Sequence, residues 1–117
     1  MEIRELVQAL LRGDLLSARQ CVADALRAGV QWNNVAAPTG FNEQEAAVAA
    51  AVIELLASRA GEQPPDWTAS VGAVSELLVL DPGLDEMPRS FARAKASGPA
   101  PLLRRNIVAM PNFLDVA

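Results

Sequence analysis

Apolar residues at Ile3, Leu6, Val7, Leu10 and Leu11 recur at the i, i+3, i+4, i+7, i+8 spacing of one helical face, which predicts an amphipathic helix over the first dozen positions. Glu2 and Glu5 in its first turn and Arg12 in its last complement the helix dipole. Gly13 breaks the pattern and Asp14 is a good N-cap. A second stripe of Leu15, Ala18, Val22, Ala25 and Leu26 then runs to a stop at Gly29. So short a turn brings the two stripes together as a helical hairpin, because neither can be left in water.

Residues 30–41 hold Trp32, Asn33-Asn34, Pro38 and Gly40 and form a connector. Asn42 and Glu45 make a capping pair for a third helix, which ends at Gly61. After its first turn only Glu54, Ser58 and Arg59 are polar, so this helix must be enclosed on more than one side. It is either the centre of the bundle or also an oligomer seam, and because its apolar circumference exceeds what two short helices and a proline-rich tail can cover, a symmetric homodimer is expected. The seam would pass through Ala46, Ala50, Ile53 and Ala57.

Beyond Gly61 the texture changes, since seven of the eight prolines lie between Pro64 and Pro111 and limit regular elements to short ones. Pro88 at a first-turn position and a stop at Gly98 predict one further helix. Residues 74–80 and 106–110 are each compatible with strand or helix. The predicted fold is mainly α, a small bundle of about three main helices near 2–12, 14–28 and 42–60, with a proline-rich, irregular C-terminal half. It forms a single domain over 1–117, with 1–61 as the helical core and 62–117 as short elements packing on it.

Composition narrows the chemistry. There is no histidine, no tyrosine and one cysteine, which removes Ser-His-Asp and Cys-His catalysis, imidazole metal sites and any intramolecular disulfide. No glycine-rich phosphate loop, Cys-x-x-Cys pair or calcium-loop spacing is present, so neither metal nor cofactor is expected. The longest apolar stretch, residues 46–56, is interrupted by Glu54 and too short to cross a bilayer; a cytoplasmic setting is expected. Glu43 and Glu45 lie too close in sequence to share a helical face, and Asp81, Asp85 and Glu86 fall in a proline-bounded loop, so capping and solvation explain these carboxylates. A carboxylate-dependent enzyme remains the catalytic alternative. Cys21 sits mid-helix with no base four residues away and is expected to be a small core or boundary residue.

A net charge of −4 argues against general phosphate binding, yet it hides a dipole. Residues 61–88 carry six acids and no base, whereas 89–105 carry Arg89, Arg93, Lys95, Arg104 and Arg105 and no acid. Either the two segments neutralise one another within the fold, or the basic one is kept for a partner. On the second reading Arg89, Arg93, Arg104 and Arg105 are candidate partner-binding residues, since the guanidinium fork suits carboxylates, and Trp67 is a candidate anchor. Trp67 and Trp32 otherwise close a core at loop edges.

The stretch from Gly13-Asp14 through Gln20, Pro64-Pro65-Asp66-Trp67-Thr68, and the run from Pro101 through Arg104-Arg105-Asn106 to Phe113-Leu114 resemble a set of small bacterial proteins that look like antitoxin-like partners of nucleotidyltransferase-fold toxins. The resemblance implies a non-catalytic protein-interaction module that masks another protein's active site. A DNA-binding regulator is the alternative binding class, and the turn at Gly13-Asp14 could imitate a helix-turn-helix. The second helix balances Arg19 and Arg27 against Asp24, a poor surface for a phosphate backbone, so nucleic acid is not the expected partner.

Overall fold

Two side-chain caps set where the long helices start. In the computed structural model, which describes residues 2–116, the first hairpin is α1 (Ile3–Leu11) and α2 (Leu15–Arg27). Asp14 joins them from both ends: its N–H donates to the Ala9 carbonyl at 2.9 Å, and its carboxylate accepts from the Ser17 N–H at 3.1 Å. Gly13 makes the tight turn feasible, holding φ +79°, a left-handed value that costs glycine nothing. At α3 (Glu43–Arg59) the capping box is complete: the Glu45 N–H donates to Asn42 Oδ1 at 2.8 Å, and the Asn42 N–H donates to Glu45 Oε1 at 3.0 Å. All three helices lie within a residue or so of the boundaries that the sequence predicts.

The C-terminal half is built from short pieces. Pro88 opens α4 (Pro88–Ser97), and a one-turn α5 (Ala100–Leu103), which no pattern in the sequence announces, follows at once. The two undecided segments resolve as strands β1 (Leu78–Val79) and β2 (Ile107–Val108), paired in parallel with Leu78 opposite Ile107. Asn106, at φ +64°, turns the chain out of α5 into β2, a left-handed position that asparagine tolerates better than most residues. Three single 3-10 turns at Trp32–Asn34, Asp66–Ser70 and Leu84–Glu86 complete the inventory. The protein is mainly α, as predicted.

One core draws on both halves: Ile3, Leu6, Val7 and Leu10 of α1 and Val22 of α2 meet α3 together with Trp32, Leu102, Ile107, Phe113 and Leu114. Every residue from Ala47 to Ala57 is buried within the single chain. This corrects the expected oligomer seam. Ala50, Ile53 and Ala57 have no exposed surface to offer a second copy, and only Ala46 is partly open. The apolar circumference of α3 exceeded what two helices could cover, but the proline-rich half supplies the missing wall. A smaller cluster of Leu84, Ala94 and Val108, with Phe91 and Met110, seats α4.

Gly98 is needed there for its size. A Cβ at this position would lie 2.5 Å from the Ala94 carbonyl oxygen and 2.7 Å from that of Ala109, both backbone atoms that cannot swing aside. Gly98→Ala is therefore expected to lower stability by about 1–3 kcal/mol. Gly72→Ala, which meets open space, should change it by less than about 0.5 kcal/mol. Urea denaturation of both variants checks this, and equal midpoints would contradict the packing around α4.

Candidate functional site

An acid at position 54 places a carboxylate on the buried face of the central helix, where an unpaired charge would cost several kcal/mol. The chain answers with Arg105. Its Nη1 and Nη2 donate to Glu54 Oε1 at 2.7 Å and Oε2 at 2.9 Å, a bidentate fork, and both side chains are almost enclosed, at 7% and 10% exposure. The remaining donors reach carbonyls: Nη1 to Pro101 at 3.2 Å, Nη2 to Thr68 at 2.9 Å and Nε to Val71 at 3.3 Å. A guanidinium carries five N–H donors, and all five are engaged. Burial pushes the Glu54 carboxyl up, but the hydrogen bonds and charge of Arg105, helped by Arg104 and the neighbouring Thr68 hydroxyl, outweigh it and hold the group below its ordinary 4.5.

Arg105 is thus corrected from a partner-binding candidate to the structural counter-ion of Glu54. The sequence offers internal pairing with the acidic stretch 61–88 as the other reading; the acid that pairs with Arg105 is on α3 instead. The one carboxylate of α3 beyond its first turn is the signal, because such a group in an apolar stretch needs a buried cation. Arg104 also donates to Glu54 Oε1, at 2.8 Å, but remains 62% exposed. Trp67 is partly buried against the main core and its Nε1 donates to the Val35 carbonyl at 2.8 Å, so it closes the core and is a poor free anchor. Arg89 and Arg93, by contrast, stand one turn apart on the exposed side of α4 and make no ion pair or hydrogen bond among the described residues. Lys95 lies over the Phe91 ring, 4.6 Å from its centre.

A second arginine fastens the chain end: Arg59 at the close of α3 donates to the carbonyls of Phe113 at 2.5 Å and Pro111 at 3.4 Å. Two open clefts lie away from this cluster. One of about 450 Å³ runs between the start of α1 and the 30–41 connector, where Arg4 donates to the Thr39 carbonyl at 2.6 Å and covers the Phe41 ring. An apolar one of about 250 Å³ lies between Leu26, Leu56 and Val116. Neither gathers carboxylates, and among the described residues no group of three or more acids and cysteine is placed to hold a metal ion. Burial, with the charges of Glu5 and Asp24, pushes the Cys21 thiol up, away from a reactive thiolate. No helix among the described residues is long and apolar enough to cross a membrane.

The two arginines of the cluster should behave very differently. Arg105→Ala leaves Glu54 buried opposite a void and is expected to cost about 3–5 kcal/mol. Arg104→Ala removes a solvent-screened donor and should cost under about 1 kcal/mol. Chemical denaturation distinguishes them, and equal losses would contradict the assignment. Acid acts on the same pair. The folded protein holds the Glu54 carboxyl below its unfolded value of 4.5, so it binds fewer protons than the unfolded chain near that pH. The stabilisation is fully present above about pH 4.5 and is lost as pH falls through the lower folded value; Asp14, lowered by its hydrogen bonds to Ser17, adds in the same direction. Thermal melts between pH 7 and 3 should fall less steeply below pH 4.5 for Glu54→Gln than for wild type.

Comparison of the chain with protein-family models, with curated proteins and with solved structures gives no match. The functional reading therefore rests on the residues and their geometry.

Proposed function

We propose that the protein is a non-catalytic interaction module that binds another protein through the exposed basic side of α4. The observation that carries this reading is the pair Arg89 and Arg93, one turn apart, exposed and without an intrachain partner among the described residues. Of the basic residues in the C-terminal half, Arg105 is consumed by Glu54, Arg104 is partly engaged by it, and Lys95 lies on Phe91. Two guanidinium forks on one rigid helix present a spacing that carboxylates of a partner can match. Met87, exposed beside the start of α4, adds an adaptable apolar contact.

The partner this surface suits is an acidic one, such as the carboxylate-lined active site of a nucleotidyltransferase-like toxin, which the chain would mask as an antitoxin-like protein in a cytoplasmic setting. The non-catalytic reading is supported by the state of Glu54, a buried carboxylate neutralised by two arginines and unsuited to acid–base work. A protein partner is favoured over DNA because the net charge is −4 and α2 ties Arg27 to Asp24 at 3.1 Å, leaving Arg19 as its one arginine without an ion pair among the described residues.

Co-purification from the native host with wild type and with Arg89→Glu/Arg93→Glu tests the proposal. Both residues are exposed, so the variant should melt within a few degrees of wild type. Wild type is expected to capture a stoichiometric protein that the double variant loses, with binding weakened at least tenfold. Equal capture by both would refute the α4 surface, and salt-sensitive DNA retention without a protein partner would favour a DNA-binding regulator.

A further inference from the structure

The Glu54 cluster holds two cations and one anion. Arg105 has used every donor, and Glu54 Oε1, which it already holds at 2.7 Å, gains only a second donor from Arg104. Arg104 contributes one N–H to that bond, and the rest of its guanidinium has no partner among the described residues, with its side chain 62% exposed. The surplus charge faces open space. A cavity of about 340 Å³ is lined by Arg104, Arg105 and Glu54 on one side and by Val71, Gly72 and Ala73 on the other. The N–H groups of Gly72 and Ala73 have no hydrogen-bond partner among the described residues, and Gly72 carries no side chain to fill the space.

We propose that this cavity is a carboxylate-binding site in which Arg104 is the receptor: a carboxylate takes the free edge of its guanidinium as a bidentate pair and turns a cluster of charge +1 into a neutral network. The charge balance selects a monoanion. A phosphate dianion would overcompensate the single surplus charge and sit close to the Glu54 carboxylate, whereas a carboxylate matches both the charge and the planar fork. The neighbouring cavity of about 490 Å³, which Arg104 and Glu54 also line, is less suited because Glu62 adds a negative charge to its wall. Arg105 anchors the floor and stays in place when the ligand arrives, since none of its donors is free. The site is separate from the exposed side of α4, and its test needs no macromolecular partner.

NMR titration of the full ¹⁵N-labelled chain, read at the Gly72 and Ala73 amides and the Arg104 Nε–H, tests the proposal. The probes are sodium acetate, N-acetyl-glutamate methylamide and inorganic phosphate, each against sodium chloride at equal ionic strength. Acetate and the blocked glutamate are expected to give saturable shifts that chloride does not. Arg104→Gln should weaken binding at least about tenfold, or roughly 1.4 kcal/mol. Arg104→Lys, which keeps the charge but loses the fork, should bind in between. Tighter binding of the blocked glutamate assigns the ligand to a protein side chain, and tighter binding of acetate assigns it to a free small acid; both support the site. Shifts matched by chloride, tighter binding of phosphate, or shifts that survive Arg104→Gln would overturn it.

Discussion

A charge buried in the centre of a small core must be answered by another, and in this chain that requirement ties the segments around Thr68, Pro101 and Arg105 to the central helix. Glu54 lies on the one helix with no exposed side along its middle, so its counter-ion has to come from whatever packs over α3. Arg105 meets it from the turn after α5, and the other bonds of the same guanidinium reach the carbonyls of Thr68, Val71 and Pro101. The 68–71 segment, more than thirty positions away in sequence, and Pro101 of α5 are thereby fixed to a single side chain. The backbone follows: the Val74 N–H donates to the Arg105 carbonyl at 3.0 Å, the Leu78 N–H to that of Asn106 at 3.1 Å, and β1 pairs with β2 immediately beyond. A two-residue parallel pair has too few hydrogen bonds to hold itself together, and here the anchored Arg105 backbone lies directly beside it.

The helical half was legible because its signals are local. Asp14, Asn42 with Glu45, Gly13 and Gly29 mark helix ends through bonds that span only three to five residues, and the apolar stripes between them have one periodicity. The C-terminal half was not, because what shapes it is long-range. The run Val74 to Leu80 reads equally well as turn or strand until Ile107 and Val108 lie beside it, and α5 is a single turn that buries Leu102 in the core and leads into Arg104 and Arg105. Glu54 was visible as an anomaly in an apolar helix. Its partner was not, since any of five bases in the following segment could have served.

The same long-range pairing sorts the candidate site. Sequence alone presents Arg89, Arg93, Arg104 and Arg105 as one basic tract, but the fold divides them by role. Arg105 is a structural counter-ion, Arg104 is a second cation on an acid that needs only one, and Arg89 and Arg93 project from α4 with nothing opposite them among the described residues. Trp67 and the alanine face of α3 are accounted for inside the chain, by a hydrogen bond to Val35 and by the walls that the proline-rich half supplies. The proposed recognition draws on positive charge on a protein whose net charge is −4, a local field that favours acidic ligands.

The claim on which this account stands is that Glu54 and Arg105 act as a unit. A double-mutant cycle with Glu54→Gln, Arg105→Met and the combined variant, read by chemical denaturation, measures it directly. The account predicts a coupling of at least about 2 kcal/mol, with the double variant more stable than Arg105→Met alone because no buried carboxylate is left with only the exposed Arg104 for a counter-ion. Additive losses, within about 0.5 kcal/mol, would show that the two residues contribute separately and that the C-terminal half is held to α3 by something else.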